Sequence, residues 1–132
     1  MIIIDSVVWI AYKNKLDAWH YQAMSLLPKI LKQEKIVYVT DYIVLEVINF
    51  LSRKTSHKIA LETLEMFTKT EKIRILYNDQ VTFLATKNIM NQYSGLSFTD
   101  ANIIVNMREN DINQLCSLDQ GFAGIEGVDL VN

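Results

Sequence analysis

The amino terminus, MIIIDSVVWI, limits the architectures open to this chain more than any other stretch. Three successive isoleucines with no polar alternation read as a strand buried on both faces. That is the habit of a parallel sheet covered by helices, not of a half-solvated antiparallel one. Asp5 then falls at the strand's carboxyl end, and in open α/β sheets ligands bind in the crevice beyond that edge. Asp5 is therefore either a helix cap or part of a site.

Downstream, strand and helix periods alternate. Ser6 is placed to cap a short helix through Tyr12. Asp17 is placed to open a longer one with apolar Trp19, Ala23, Leu26, Leu27, Ile30 and Leu31, and Pro28 is set to kink or split it. Residues 36–40 read as a second strand, followed by a helix capped by Asp41 and running to about Ser52, then another helix over 56–67. Ile73, Ile75 and Tyr77 suggest a third strand. Asp79 opens a helix whose apolar face is Val81, Leu84, Ala85, Ile89 and Met90. After Gly95, Ser97 or Thr99 caps a helix through Met107, and residues 114–118 and 128–131 supply the last strands. This alternation predicts an α/β fold in which a mainly parallel sheet carries helices on both faces, joined by right-handed crossovers.

Composition narrows the setting. At 132 residues, half of them hydrophobic, the chain suits a single domain over 1–132 with its own core. One cysteine, Cys116, forms no internal disulfide, and with His20 and His57 alone there is no zinc-ligand cluster, which favours a reducing cytoplasm. No stretch approaches the roughly 20 apolar residues of a membrane span, and the amino terminus lacks a signal peptide's basic start, so no membrane role is expected. The net charge of −2 supplies no global basic field, so contact with nucleic acid has to be local or metal-mediated. Arg53, Lys54, His57 and Lys58 form one basic patch and Lys29, Lys32 and Lys35 another. Clusters of this kind are usually solvated helix ends.

Four acids share an awkward placement. Asp5 and Asp119 both follow apolar strands, so they emerge on the same edge of a parallel sheet; Glu46 and Asp100 lie within a turn or two of helices that begin there. Glu46 sits among Ile43, Val44, Val47, Ile48, Phe50 and Leu51, and Asp100 among Leu96, Phe98, Ala101, Ile103 and Ile104. Charged residues in apolar surroundings need a partner, and for several converging carboxylates the simplest one is a divalent cation. An all-oxygen set suits Mg²⁺ or Mn²⁺. Taken singly, each acid has an ordinary alternative as a helix cap or first-turn residue. Ser6, Thr99 and Ser117 neighbour the acids and could orient ligands or water, though all three are also common cap residues. Cys116, in an apolar strand, reads as a buried structural thiol.

Two other phosphate-handling designs fit poorly. No GxxxxGK[ST] follows any strand, and a dehalogenase-like phosphatase would carry a second Asp where Val7 stands. The segments IIIDSVVWIA, TDYIVLEVINFL, LSFTDANII and LCSLDQGFAGIEGVDLV, in that order, resemble instead the PIN domain, the small nuclease fold of VapC-type toxins. The resemblance implies a three-layer α/β/α sandwich and an acidic quartet of Asp5, Glu46, Asp100 and Asp119 holding one or two Mg²⁺ or Mn²⁺ ions. It also implies cleavage of single-stranded RNA by metal-activated water. Ser6 and Ser117 match hydroxyl positions of the family, whereas Val7 departs from a usual Ser or Asn. Arg53, Lys54 and Lys58 are natural phosphate contacts that the motifs do not assign. A toxin of this kind implies a cognate antitoxin. The apolar helices at 19–31 and 59–67 could meet that partner or a second copy, and core packing explains their stripes equally well. The competing expectations are a processing or decay nuclease without a toxin role, and an inactive PIN fold used for binding.

Overall fold

In the computed structural model, which describes Met1–Asn132, the isoleucine run forms β1 (Ile2–Ile4) at the centre of the sheet, with each residue 2% exposed or less. The other strands are β2 (Val37–Thr40), β3 (Ile73–Leu76), β4 (Gln114–Cys116) and β5 (Asp129–Val131). Their order is β3-β2-β1-β4-β5 and every pairing is parallel, with Ile3 opposite Tyr38 on one side and Leu115 on the other. All five carboxyl ends therefore share one edge.

The six helices are α1 (Ser6–Lys13), α2 (His20–Gln33), α3 (Asp41–Lys54), α4 (His57–Lys69), α5 (Gln80–Gln92) and α6 (Phe98–Glu109), with a 3-10 turn at Gln120–Phe122. From β1 the chain steps outward to β2 and β3, with α1 to α4 in the crossovers, and then returns to β4 through α5 and α6. Right-handed crossovers travelling in opposite directions lay their helices on opposite faces. The contacts divide the same way, α1 packing on α2 and α3, α3 on α4, and α5 on α6. The protein is a three-layer α/β/α sandwich. The reversal leaves a crevice between the carboxyl ends of β1 and β4, the switch point where such sheets bind ligands.

Several local expectations are corrected. Asp5, not Ser6, caps α1: its backbone is extended and its carboxylate accepts the Ser6 amide. Helix α2 starts at His20 because the Asp17 carboxylate accepts the Trp19 amide in the preceding turn, at 2.9 Å. Pro28 neither ends nor splits α2. Pro28 and Met24 are both exposed, so the Met24 carbonyl that loses its donor faces water. Thr40 caps α3 by accepting the Ile43 amide, so Asp41 lies inside the first turn, and the helix runs on to Lys54.

The largest correction concerns α5. Its buried residues are Thr82 and Thr86, while Val81, Leu84 and Met90 of the expected apolar face are 72%, 53% and 43% exposed. The cause lies in α6, buried on all sides from Ala101 to Met107, which carries Asn102 and Asn106 on its buried surface and turns Asn102 to α5. Buried amides require hydrogen-bonding partners, and the threonine face supplies one: Asn102 Nδ2 donates to Thr86 Oγ1 at 3.0 Å. Asn78, just beyond β3, completes the network by accepting from both Asn102 and Asn106 and donating to Asp41.

Candidate active site

Asp5 is the buried centre of the switch-point crevice. Strand β1 delivers it, its backbone amide donates to the Cys116 carbonyl of β4, and its side chain is 2% exposed. One carboxylate oxygen accepts from the Ser6 amide at 2.7 Å and lies 3.3 Å from Ser6 Oγ; the other accepts from Ser117 Oγ at 2.7 Å. Despite these donors, burial dominates, and with Asp100 and Glu46 nearby it pushes the Asp5 carboxyl up to about 7.

Two serines extend the constellation. Ser6 Oγ donates to Glu46 Oε1 at 3.0 Å, which joins α1 to α3 across the crevice. Ser117 Oγ accepts the Asp119 amide at 3.0 Å, so one hydroxyl positions the acid of β1 and the backbone of the final one. Asp119 itself caps the 3-10 turn through the Gly121 amide. Asp100 sits at the start of α6 in a reciprocal capping box with Ser97. Partial burial raises its carboxyl above the ordinary range, and the charges of Asp119 and Glu46 add to the rise.

The four acids thus face one another's fields at one sheet edge. The chain's ion pairs join the amino terminus to Glu34, Lys58 to Glu62 and Lys69 to Glu65, so no basic side chain neutralises the quartet. One expectation changes in detail. Glu46 is exposed, because the buried face of α3 is Ile43, Val47 and Leu51; its signal is the shared edge, not burial. Thr99 makes no side-chain hydrogen bond to any of the acids and lines a neighbouring cleft with Glu46 and Arg53. Lys54 is exposed beside Arg53 at the end of α3, and Lys58 lies on α4, exposed and 4.0 Å from Glu62.

Of the two caps offered for α6 the structure uses Ser97, whose hydroxyl accepts the Asp100 amide and whose own amide donates to the Asp100 carboxylate; sequence reading missed the aromatic wall of Tyr42, Phe83 and Phe98. The available signal was a spacing: Tyr42, Glu46, Asn49 and Arg53 recur on one face of α3.

As donors, the acids fit a hard divalent cation: all are oxygens, none has a cationic partner, and the two whose carboxyls are raised gain most from added positive charge. No three of them converge closely enough to enclose an ion by themselves. Mg²⁺ tolerates that spacing, because it commonly takes one or two carboxylates and keeps several waters.

A fold with this sheet order and acidic edge defines a class. Residues 2–128 match the PIN domain, and the chain belongs to that family. Among solved structures it is similar to VapC20 of Mycobacterium tuberculosis, a sarcin-ricin loop cleaving toxin. The TM-score is 0.84 at 20% identity, over 96% of this chain and 95% of that one. VapBC2 of Rickettsia felis, bound to a DNA fragment from its promoter, matches with a TM-score of 0.71 at 14% identity, over 100% and 98% of the two chains. A toxin–antitoxin complex from Klebsiella pneumoniae matches with a TM-score of 0.69 at 16% identity, over 100% and 97%. Comparison with curated proteins finds no match.

Proposed function

We propose that this PIN-domain protein, working as one unit over residues 1–132, is an endoribonuclease that hydrolyses phosphodiester bonds of single-stranded RNA with Mg²⁺ or Mn²⁺. The observation that carries this reading is the acidic edge, where four carboxylates lie within one another's fields without a basic counter-ion and the most buried has its carboxyl raised to about 7. Asp5, Glu46, Asp100 and Asp119 would hold the ion. When bound, it neutralises the carboxylates, activates water and polarises the phosphate.

The remaining roles belong to the chain. Ser6 and Ser117 fix the carboxylate plane of Asp5 from both sides, and Ser6 ties Glu46 to it. Thr99, which lines the neighbouring cleft with Glu46 and Arg53, would orient water or substrate. Arg53, Lys54 and Lys58 meet backbone phosphates and supply the local attraction that a net charge of −2 does not. Val7 is partly buried and offers no polar atom beside Ser6.

The biological reading is the toxin of a toxin–antitoxin pair acting in the cytoplasm. Its support is the likeness to the VapC20 toxin and the Klebsiella complex, together with a free buried Cys116. No helix is long and apolar enough to cross a membrane. The cognate antitoxin would cover apolar side chains that core packing leaves out on α2 and α4, namely Tyr21, Met24 and Leu61 at 87%, 45% and 49% exposure; a second copy of the chain is the competing occupant.

The test is incubation of purified protein with a mixed single-stranded RNA panel, with Mg²⁺ or Mn²⁺ and with chelator, beside Asp100→Asn. We expect metal-dependent cutting that falls at least about 100-fold in the variant while its circular dichroism and melting stay native. Cutting that survives chelation, or that Asp100→Asn retains in full, overturns the reading.

A further inference from the structure

Next to the acidic edge lies an open cleft of about 440 Å³ between α3 on one side and α5 and α6 on the other. Three aromatic rings gather there. Phe98 lies 6.0 Å from Tyr42 with planes tilted by 36°, and 5.1 Å from Phe83 with planes tilted by 51°. Because the rings are tilted and not sandwiched, they do not cover one another's faces, and Phe83 is 49% exposed at the mouth.

The cleft's polar groups follow the axis of α3. Glu46 is at the end nearest the acids, linked to Asp5 through Ser6. Asn49 comes next, with an amide able to donate and accept. Arg53 follows, seven residues beyond Glu46 and so roughly 10 Å along the helix, exposed and without a carboxylate partner. Aromatic faces, an amide and a free guanidinium in line are complementary to a base, its edge and a backbone phosphate. A cleft of this volume is at the small-ligand end of the scale and suits one planar group better than a packed helix.

We propose that this cleft is a nucleobase subsite of the nuclease. A base flanking the scissile phosphate stacks on Phe83 and Phe98, its edge faces Asn49, and the next phosphate meets Arg53. The inference rests on the nuclease reading above and deepens it, because a base can enter the cleft only if it is unstacked from its neighbours. The subsite therefore gives a physical reason for a single-strand preference.

The test uses Phe83→Ala, Phe83→Tyr and, as a control outside the cleft lining, Leu84→Ala, all at exposed positions of α5. Binding of a labelled short single-stranded RNA is read by anisotropy in chelator, cleavage of the same RNA in Mn²⁺, and mass by light scattering. We expect Phe83→Ala to weaken binding and raise KM by roughly 5- to 100-fold, Phe83→Tyr to restore both, and Leu84→Ala to match the wild type. A matched oligonucleotide lacking bases should bind wild type and Phe83→Ala equally. Metal-dependent cleavage with unchanged binding in Phe83→Ala overturns the subsite and spares the nuclease. Base-dependent binding without cleavage does the reverse. If Phe83→Ala converts a dimer to a monomer that binds RNA as the wild type does, a second copy covers the cleft and the subsite falls.

Discussion

The two helical layers of this protein are held together by different physics. In the layer of α1 to α4 the contacts are apolar: Trp9 of α1 packs edge-on against Phe67 of α4 with ring centres 5.0 Å apart, and Ala23, Leu27, Ile43, Val47 and Leu51 belong to the same buried core. In the layer of α5 and α6 the buried contact is largely polar, with Asn78, Thr82, Thr86, Asn102 and Asn106 sharing hydrogen bonds. Apolar packing is not directional and depends on volume. A polar layer depends on every member finding a partner. The two layers should therefore fail differently when a single side chain is removed.

The largest effect is expected at Trp9. It is fully buried, and its Nε1 donates to the Ile4 carbonyl at the end of β1, so truncation removes volume, a hydrogen bond and the prop beneath Asp5. Trp9→Ala should lower stability by about 3–5 kcal/mol, a large share of what a domain of this size has. The urea midpoint reports it, and a shift below about 1 kcal/mol would show that the apolar layer repacks freely.

The same contrast explains how much was legible from sequence. Uniformly apolar β1 and the helices that follow it could be read because hydrophobic period and burial agree there; Ala23, Leu27 and Ile30 of α2 point inward as their spacing says. On α5 the period misleads in part: Ala85 and Ile89 are half-buried, Ile89 against the core, but Val81, Leu84 and Met90 face solvent. Only the side-chain needs of α6 decide which face of α5 turns inward, and a helix buried all round carries little periodic signal about its partner. The site divides likewise. Asp5 and Asp119 could be placed from strand ends alone, and the shared edge brought in Glu46 and Asp100. The Ser97 box is a local pattern and was open to reading, but the Ser6–Glu46 bond depends on how α1 meets α3 and the aromatic cleft on how α3, α5 and α6 meet, which spacing within one segment does not encode.

Between the layers, at the sheet edge, the effect has the opposite sign. The Asp5 carboxyl is raised from 3.8 to about 7, chiefly by burial, so the folded chain keeps a proton that the unfolded chain has released across that interval. Stability from this group is therefore fully present below about pH 4, declines as pH rises through 7, and is flat beyond. Asp5→Asn removes the charge while keeping the shape. It should flatten that decline and stabilise the metal-free protein at pH 8 by about 2–4 kcal/mol relative to wild type. Parallel urea titrations at pH 4.5 and pH 8 measure it, and identical pH slopes in the two proteins would show that Asp5 is better solvated than its 2% exposure implies.

The smallest of the three effects is expected in the polar layer, at Asn102. Its amide donates to Asn78 Oδ1 at 2.7 Å and Thr86 Oγ1 at 3.0 Å, and its own oxygen accepts from Asn106. Each neighbour has a second bond: Thr86 Oγ1 donates to the Thr82 carbonyl, Asn106 reaches the Asn102 backbone, and Asn78 holds Asp41. Truncation therefore leaves no neighbour without a partner, and Asn102→Ala should cost about 1–3 kcal/mol, less than Trp9→Ala although both side chains are fully buried. If the layer behaves as a network, the loss should not add to that of Thr86→Val, and a double-mutant cycle should give a coupling of at least about 0.5 kcal/mol. Strict additivity would mean that the bonds act one by one. A cost for Asn102→Ala equal to that of Trp9→Ala would mean that volume governs both layers, and the contrast between them would disappear.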